Sequence, residues 1–270
     1  MKPLSLLAVF AHPDDEAYSV GGTLTRYAAE GGDVQLVTAT RGEAGEVSDA
    51  SLASLANLPM VREQELRCAC RVYGIRPPIF LDYVDGQLPI VNQGQAVGKL
   101  VRIIREHKPQ VLVTYGPDGI YGHYDHIAVH RWASIAYDLA ADPNCFPELS
   151  AAACTPHQVS KLYWSVLSEE LVAAMSSKGR PASVTMDGVP FAMVGYPRQQ
   201  ITTRIDVSQF VSTKLQGLRC HATQFDTRAA SEEEREMLTS TFFRQELFIR
   251  ARSDLAPAPD VETDLFAGLR

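Results

Sequence analysis

A chain of 270 residues, 46% of them hydrophobic, has enough apolar material for one large core or two modest ones. Its 25 lysines and arginines fall short of its 32 aspartates and glutamates; the net charge of -7, with no basic stripe, argues against binding nucleic acid. No apolar stretch approaches the ~20 residues of a membrane span, and an acidic cluster follows the N-terminal apolar run at once, so that run reads as a buried strand rather than a cleaved signal.

In chain order, short and continuously apolar runs at Leu4–Ala11, Val34–Thr40, Ile79–Tyr83 and Val111–Tyr115 predict strands covered on both faces. Helical periodicity lies between them at Thr23–Glu30, Val61–Tyr73 and Gln95–Glu106, with Gly31, Gly32 and Gly74 as stops. Repeated β-α-β units predict an α/β fold: a Rossmann-like, doubly wound, mostly parallel sheet with helices on both faces. A helix follows at Tyr124–Ala140, a strand at Leu162–Leu167, another at Ile201–Asp206 and a helix at Val207–Ala222. Asp142–Ser160 and Lys178–Gln200 read as long excursions, and the tail from about 256 as a loose end or one packed against a neighbour, in one domain spanning residues 1–270. The long stretch Arg41–Met60 has the length of a lid, which alone does not show motion.

Five cysteines (68, 70, 145, 154 and 220) make an odd count without a CxxC pair. They read as free thiols of a cytoplasmic protein, and not as a zinc site.

In such sheets ligands bind beyond the carboxyl ends of the strands. Four polar segments fall there: "HPDDE" (12–16), "TRGEAGE" (40–46), "DYVDG" (82–86) and "YGPDGIYGHYDH" (115–126). Three acidic residues in a row after a core strand repel one another, so a cation is the natural occupant. Three of the seven histidines lie within His123–His130, where His123 and His126 share a helix face, and so do His126 and His130. Two histidines and one carboxylate make a zinc set with a fourth position left to water. "HPDD" lets His12 and Asp15 turn to one point while Asp14 stands beside it as a base. Other fits are open: Asp as a helix cap, His130 as a hydrogen-bonded core histidine, His221 as a site-facing group or a helix-end residue. Arg62 in "VREQELR" also suits a solvated face paired with Glu65, and Arg41 and Glu43 either line a pocket or pair together.

"AHPDDE" together with "GHYDHIAVH" resembles the PIG-L/LmbE-like family of zinc-dependent N-deacetylases, which remove acetyl groups from N-acetylglucosaminyl conjugates. "TRGEAG", "REQE" (62–65), "DG" (85–86) and "KLQGLRCHATQ" (214–224) extend the resemblance over roughly residues 4–225. The resemblance implies that His12, Asp15 and His126 ligate Zn2+, with ferrous iron as the alternative. It implies Asp14 as general base, His123 as stabiliser of the tetrahedral oxyanion, and Asp125 as a partner behind the ligands, a role that His130 also fits. It implies that Arg62 and Asp85 fall where the family contacts the sugar, and Glu43 of the loop after the second strand is read as a further substrate contact. Tyr124 departs from the family's usual proline.

The implied reaction is attack of zinc-bound water on the acetamide of a soluble, acetylated amino-sugar conjugate. Amidase action on thiol conjugates, another acylated amine, or silent zinc or sugar binding are the alternatives. No membrane partner is expected, and a homo-oligomer is left open. A receiver domain leaves the histidines unexplained, and a dinucleotide site needs GxGxxG where "HPDDE" stands.

Overall fold

The computed structural model describes residues 4–151, 154–176, 182–186, 188–225, 240, 243–256 and 261–270. In chain order the strands are β1 (Ser5–Phe10), β2 (Asp33–Thr38), β3 (Ile79–Phe80), β4 (Val111–Tyr115), β5 (Lys161–Ser168), β6 (Ser183–Met186), β7 (Val189–Ala192), β8 (Gly195–Tyr196), β9 (Thr203–Asp206) and β10 (Gln245–Ser253). The helices are α1 (Asp15–Ser19), α2 (Gly21–Ala29), α3 (Leu58–Tyr73), α4 (Gln93–His107), α5 (Gly119–Gly122), α6 (Tyr124–Leu139), α7 (Pro147–Ala151), α8 (Glu169–Met175) and α9 (Val211–Cys220). The chain forms two compact units: residues 1–88 with 206–246, and residues 89–205 with 247–270.

In the first unit β3, β2 and β1 run parallel, Ser5 opposite Asp33 and Val37 opposite Ile79. After their first residue β1 and β2 are buried throughout, which is why their sequences run apolar instead of alternating. The extended run expected at Ile79–Tyr83 stops at Phe80, because Asp82 takes a left-handed conformation (φ 60°) and turns the chain out of the sheet. Helices α2, α3 and α9 pack together. Gly217 on α9 is a requirement of that packing, since a Cβ there would sit 2.1 Å from the Tyr73 ring. Buried Glu246 accepts the Gly22 and Thr23 amides at the start of α2 and pairs with Lys214 Nζ at 2.6 Å.

Cys68 on α3 and Cys220 at the end of α9 form a disulfide, their Cα atoms 5.8 Å apart. This corrects the expectation of five free thiols. The partners are 152 residues apart in sequence, and only the packing of α3 on α9 brings them together. Cys70, Cys145 and Cys154 form no disulfide among the described residues.

In the second unit the order is β4-β5-β10-β9, β4 and β5 parallel and β10 antiparallel to β5, with β8 parallel to the end of β5. β4 is buried along its length and is covered by α6, which also packs on α4. The second excursion contains the β6–β7 hairpin; residues 178–181 and 187 within it lie outside the described residues. Of the tail expected to be loose, residues 257–260 likewise lie outside them, but Leu265 and Phe266 are fully buried. Buried Glu262 fastens that segment, accepting from Lys161 Nζ (2.9 Å), Tyr163 OH (2.7 Å), Thr203 Oγ1 (3.0 Å) and Arg250 Nη1 (2.7 Å). No described helix is long and apolar enough to cross a membrane.

Candidate active site

The candidate side chains collect on the loops after the parallel strands, in each unit separately. In the first unit β1 ends at Phe10, and the chain turns through His12, Pro13 and Asp14 into α1. The His12 amide donates to Asp15 Oδ2 at 2.7 Å, closing the turn, and its Nδ1 lies 3.3 Å from the same oxygen. On the other side of the ring Nε2 lies 2.9 Å from Asp85 Oδ1. Burial works against the charge on Asp85, but the hydrogen bond and charge of His12 outweigh it and hold its pKa down at about 2. Two carboxylates therefore flank one buried imidazole.

Asp14 takes φ 100°, a left-handed conformation that L side chains adopt only when their surroundings enforce it. Its Oδ2 accepts from Arg62 Nη2 at 3.1 Å, and its amide donates to Glu16 Oε2 at 3.0 Å. Burial pushes the Asp14 pKa up to about 6; Arg62 pulls it down, while Asp15 and Glu16 push it further up. Glu16 Oε1 meets His221 Nε2 at 2.8 Å, and both residues are buried. Burial resists the charge on His221, yet Glu16, Asp14 and Glu65 outweigh it and raise its pKa.

Arg62 is not on a solvated face. Its side chain is 3% exposed and also donates to the Pro13 and Gly42 carbonyls, both at 2.6 Å. Gly42 (φ 70°) is needed there, because a Cβ would come 2.2 Å from Arg62 Nη1. Glu65 pairs instead with the Thr223 amide and hydroxyl, both at 2.7 Å. Glu43 accepts the Arg41 and Asp85 amides at 3.2 and 3.1 Å, tying the loop after β2 to the loop after β3. Asp85 Oδ2 accepts the Ala44 amide at 3.0 Å. The Arg41 guanidinium reaches Glu63 (2.7 Å) and Asp82 (2.5 Å), not Glu43. Arg62, Asp85 and Glu43, the three residues expected against substrate, are each taken up by partners within this unit.

In the second unit the loop after β4 bends sharply, with Ile120 at φ 71°. Asp118 Oδ1 accepts the Ile120 amide at 2.7 Å, the Tyr196 hydroxyl donates to Asp118 Oδ2, and the Val194 amide donates to the Ile120 carbonyl at 2.7 Å. His123 caps α6, its Nδ1 accepting the Asp125 amide at 3.1 Å. That acceptor role puts the proton of a neutral ring on Nε2, as a donor. His126 is the reverse case: Nδ1 donates to the Gly119 carbonyl at 3.1 Å, so Nε2 carries the lone pair that a metal needs. The rings of His123 and His126 stack at 4.4 Å, and His126 stacks on Tyr115 at 4.2 Å. Tyr121 lies edge-on to both histidines, a contact that the sequence reading did not single out although the residue sits inside the motif. His130 turns away from the pair: its Nδ1 donates to the Tyr115 carbonyl at 2.9 Å and its ring meets Trp164 edge-on, while burial lowers its pKa. Asp125 is fully buried, and Tyr124 is 60% exposed, edge-on to Phe191 of the β6–β7 hairpin.

Comparison with known proteins agrees with this chemistry. Residues 7–137 match the family model described as PIG-L, GlcNAc-PI de-N-acetylase. The chain is 38% identical over 98% of its length, and 97% of the relative's, to the 1D-myo-inositol 2-acetamido-2-deoxy-alpha-D-glucopyranoside deacetylase of Streptomyces avermitilis. The enzyme of that name from Mycobacteroides abscessus is 34% identical over 98% of both chains. Among solved structures, the N,N'-diacetylchitobiose deacetylase of Pyrococcus horikoshii shares the fold with a TM-score of 0.68 at 21% identity, covering 90% of this chain and 82% of that one. The 4-carboxy-2-hydroxymuconate hydratase of Pseudomonas putida shares it at 0.64 and 18% identity, covering 94% and 99%. The expected class, a mostly parallel sheet with helices around it, therefore holds, and the hydratase shows that this fold alone does not fix the reaction.

Proposed function

Because the chain belongs to the PIG-L family of de-N-acetylases, we propose that it removes the acetyl group from an N-acetylglucosaminyl conjugate of a small polyol, an inositol glycoside first among the candidates. The observation that carries this reading is the near full-length similarity to deacetylases of one such glycoside, beside the "HPDD" and "HYDH" motifs in the chain. We take residues 1–270 as one catalytic domain, since those relatives match nearly all of it.

His12, Asp15 and His126 are the proposed metal ligands. Two structural features fit a divalent cation: the doubled carboxylates at His12, and the oriented Nε2 lone pair of His126. Zinc is the first choice for this donor set, with ferrous iron the alternative; when bound, the metal supplies Lewis acidity at the amide oxygen and the attacking water.

The remaining steps belong to the chain's own side chains. Asp14, basic enough through burial yet ionised at neutral pH, takes the proton of the attacking water. His123 Nε2–H donates to the carbonyl oxygen as charge develops, a contribution of roughly 3–4 kcal/mol for one well-placed donor. The proton held at Asp14 then passes to the leaving amine. Asp125 fixes the His123 tautomer through its amide. Arg62 and Glu43 hold the loops on which Asp14 and Asp85 stand.

The test is acetate release from the inositol glycoside, from free N-acetylglucosamine and from diacetylchitobiose, with metal content measured alongside. Asp14→Asn should keep about one metal per chain and release no acetate. An unaltered rate removes Asp14 from its role, and a metal-loaded wild type inert on all three substrates refutes the deacetylase reading. The cytoplasmic location is part of the proposal, and the redox state of Cys68 and Cys220 in cells bears on it.

A further inference from the structure

We propose that His221 and Glu16 are positioning residues that hold Asp14 in its reactive conformation, reaching it through the backbone. The proposal rests on the role given above to Asp14, while the placement itself stands on the geometry of one unit.

The chain of contacts is short. His221 Nε2 donates to Glu16 Oε1 at 2.8 Å, and Glu16 Oε2 accepts the Asp14 amide at 3.0 Å. Asp14 is a non-glycine residue at φ 100°, a conformation that persists only where several contacts over-determine it. The Glu16 bond is one of three that do so; the others are the Ala17 amide on the Asp14 carbonyl (2.9 Å) and Arg62 on its carboxylate (3.1 Å). Glu16 cannot take this position unaided. It is 1% exposed, and a buried carboxylate with an unsatisfied oxygen would turn toward another donor or toward water. His221 supplies that donor while itself fully buried, and its Nδ1 has no hydrogen-bond partner among the described residues. A histidine serving only as a helix-end residue would face the last carbonyls of α9; the ring faces Glu16 instead. The disulfide at Cys220, one residue before it, fastens this end of α9 to α3, the helix that carries Arg62. Both supports of Asp14 thus come from one cross-linked pair of helices.

Three variants beside the wild type decide the matter: His221→Phe, His221→Gln and Glu16→Gln, each metal-loaded. The Gln at 221 keeps an amide donor within reach of Glu16; the Phe does not. With the inositol glycoside, His221→Phe should lower kcat roughly ten- to hundredfold through misplacement of the base, with KM and metal content unchanged. His221→Gln should recover most of that loss. A second readout needs no turnover: the Asp14 amide resonance in a 15N–1H spectrum should shift in His221→Phe and Glu16→Gln and return in His221→Gln.

An unchanged kcat in His221→Phe overturns the proposal, as does an Asp14 amide that fails to move. So does equal loss in the Phe and Gln variants with falling metal content and melting temperature, the mark of a merely structural residue. If wild type releases no acetate, the functional reading fails, and the amide resonance alone then decides whether His221 and Glu16 hold Asp14.

Discussion

Replacing Arg62 by alanine separates two roles that look alike in sequence. A substrate contact would raise KM and leave the fold intact. The structure predicts otherwise, because the guanidinium is 3% exposed and its three acceptors all belong to the protein: the Gly42 and Pro13 carbonyls at 2.6 Å and Asp14 Oδ2 at 3.1 Å. Truncation takes the Arg62 donors from the Pro13 carbonyl and the Asp14 carboxylate, and leaves the Gly42 carbonyl with the Gly45 amide alone, at 3.2 Å. Each unpaired buried acceptor costs about 1–3 kcal/mol, and removing one partner of a buried ion pair about 3–5 kcal/mol. These overlap, since one side chain serves all three and water can enter the space it leaves. The loss should therefore be about 3–5 kcal/mol, a large part of the ~5–15 kcal/mol that stabilises a typical domain.

Urea unfolding of the metal-free protein at pH 7 measures this, with an unchanged slope and a midpoint lowered by roughly 1–2 M for a slope of ~3 kcal/mol/M. Arg62→Lys, which keeps the charge but not the fork of donors, should fall between the two. A stability within ~0.5 kcal/mol of wild type, the range of an ordinary surface substitution, with KM raised, would refute the reasoning. It would return Arg62 to the substrate.

Thiol titration of the denatured, unreduced protein should find Cys70, Cys145 and Cys154 only, and five thiols after reduction. Five without reductant refutes the Cys68–Cys220 bond, whose removal by a double serine variant should cost about 2–4 kcal/mol. Glu262 gives a pH signature. Burial raises its pKa, but Lys161, Tyr163 and Thr203 outweigh that and lower it below 4.5 in the folded state. Its charge therefore contributes stability that is present above pH 4.5 and lost as pH falls through the lower folded value. The stability gap between wild type and Glu262→Gln should be constant near neutrality and narrow below that pH; a gap that widens in acid contradicts the sign.

The first-half strands were legible because burial on both faces removes the alternation that makes strands ambiguous: Val111–Tyr115 is β4 to the residue. The later strands lack that clarity. β10 reads "QELFIRARS", with charges at Glu246, Arg250 and Arg252 among apolar residues, because Arg250 answers to a partner, Glu262, and not to an apolar layer. The β6–β7 hairpin is mostly exposed and offers no hydrophobic period to read.

The site divides along similar lines. The residues assigned chemistry sit in two short windows, 12–16 and 123–130, where neighbouring side chains report on one another. The residues that hold them come from far along the chain: Arg62 reaches Asp14 across 48 positions, Glu43 reaches Asp85 across 42, and His221 reaches Glu16 across 205. Nothing local distinguishes an arginine that grips a sugar from one that grips a backbone carbonyl, since both need a charged fork behind a strand end. A reading from sequence therefore names side-chain chemistry more readily than partners. Buried polar groups near a site must be paired, and the protein's own strand-end loops supply acceptors of the same chemistry as a sugar's hydroxyls.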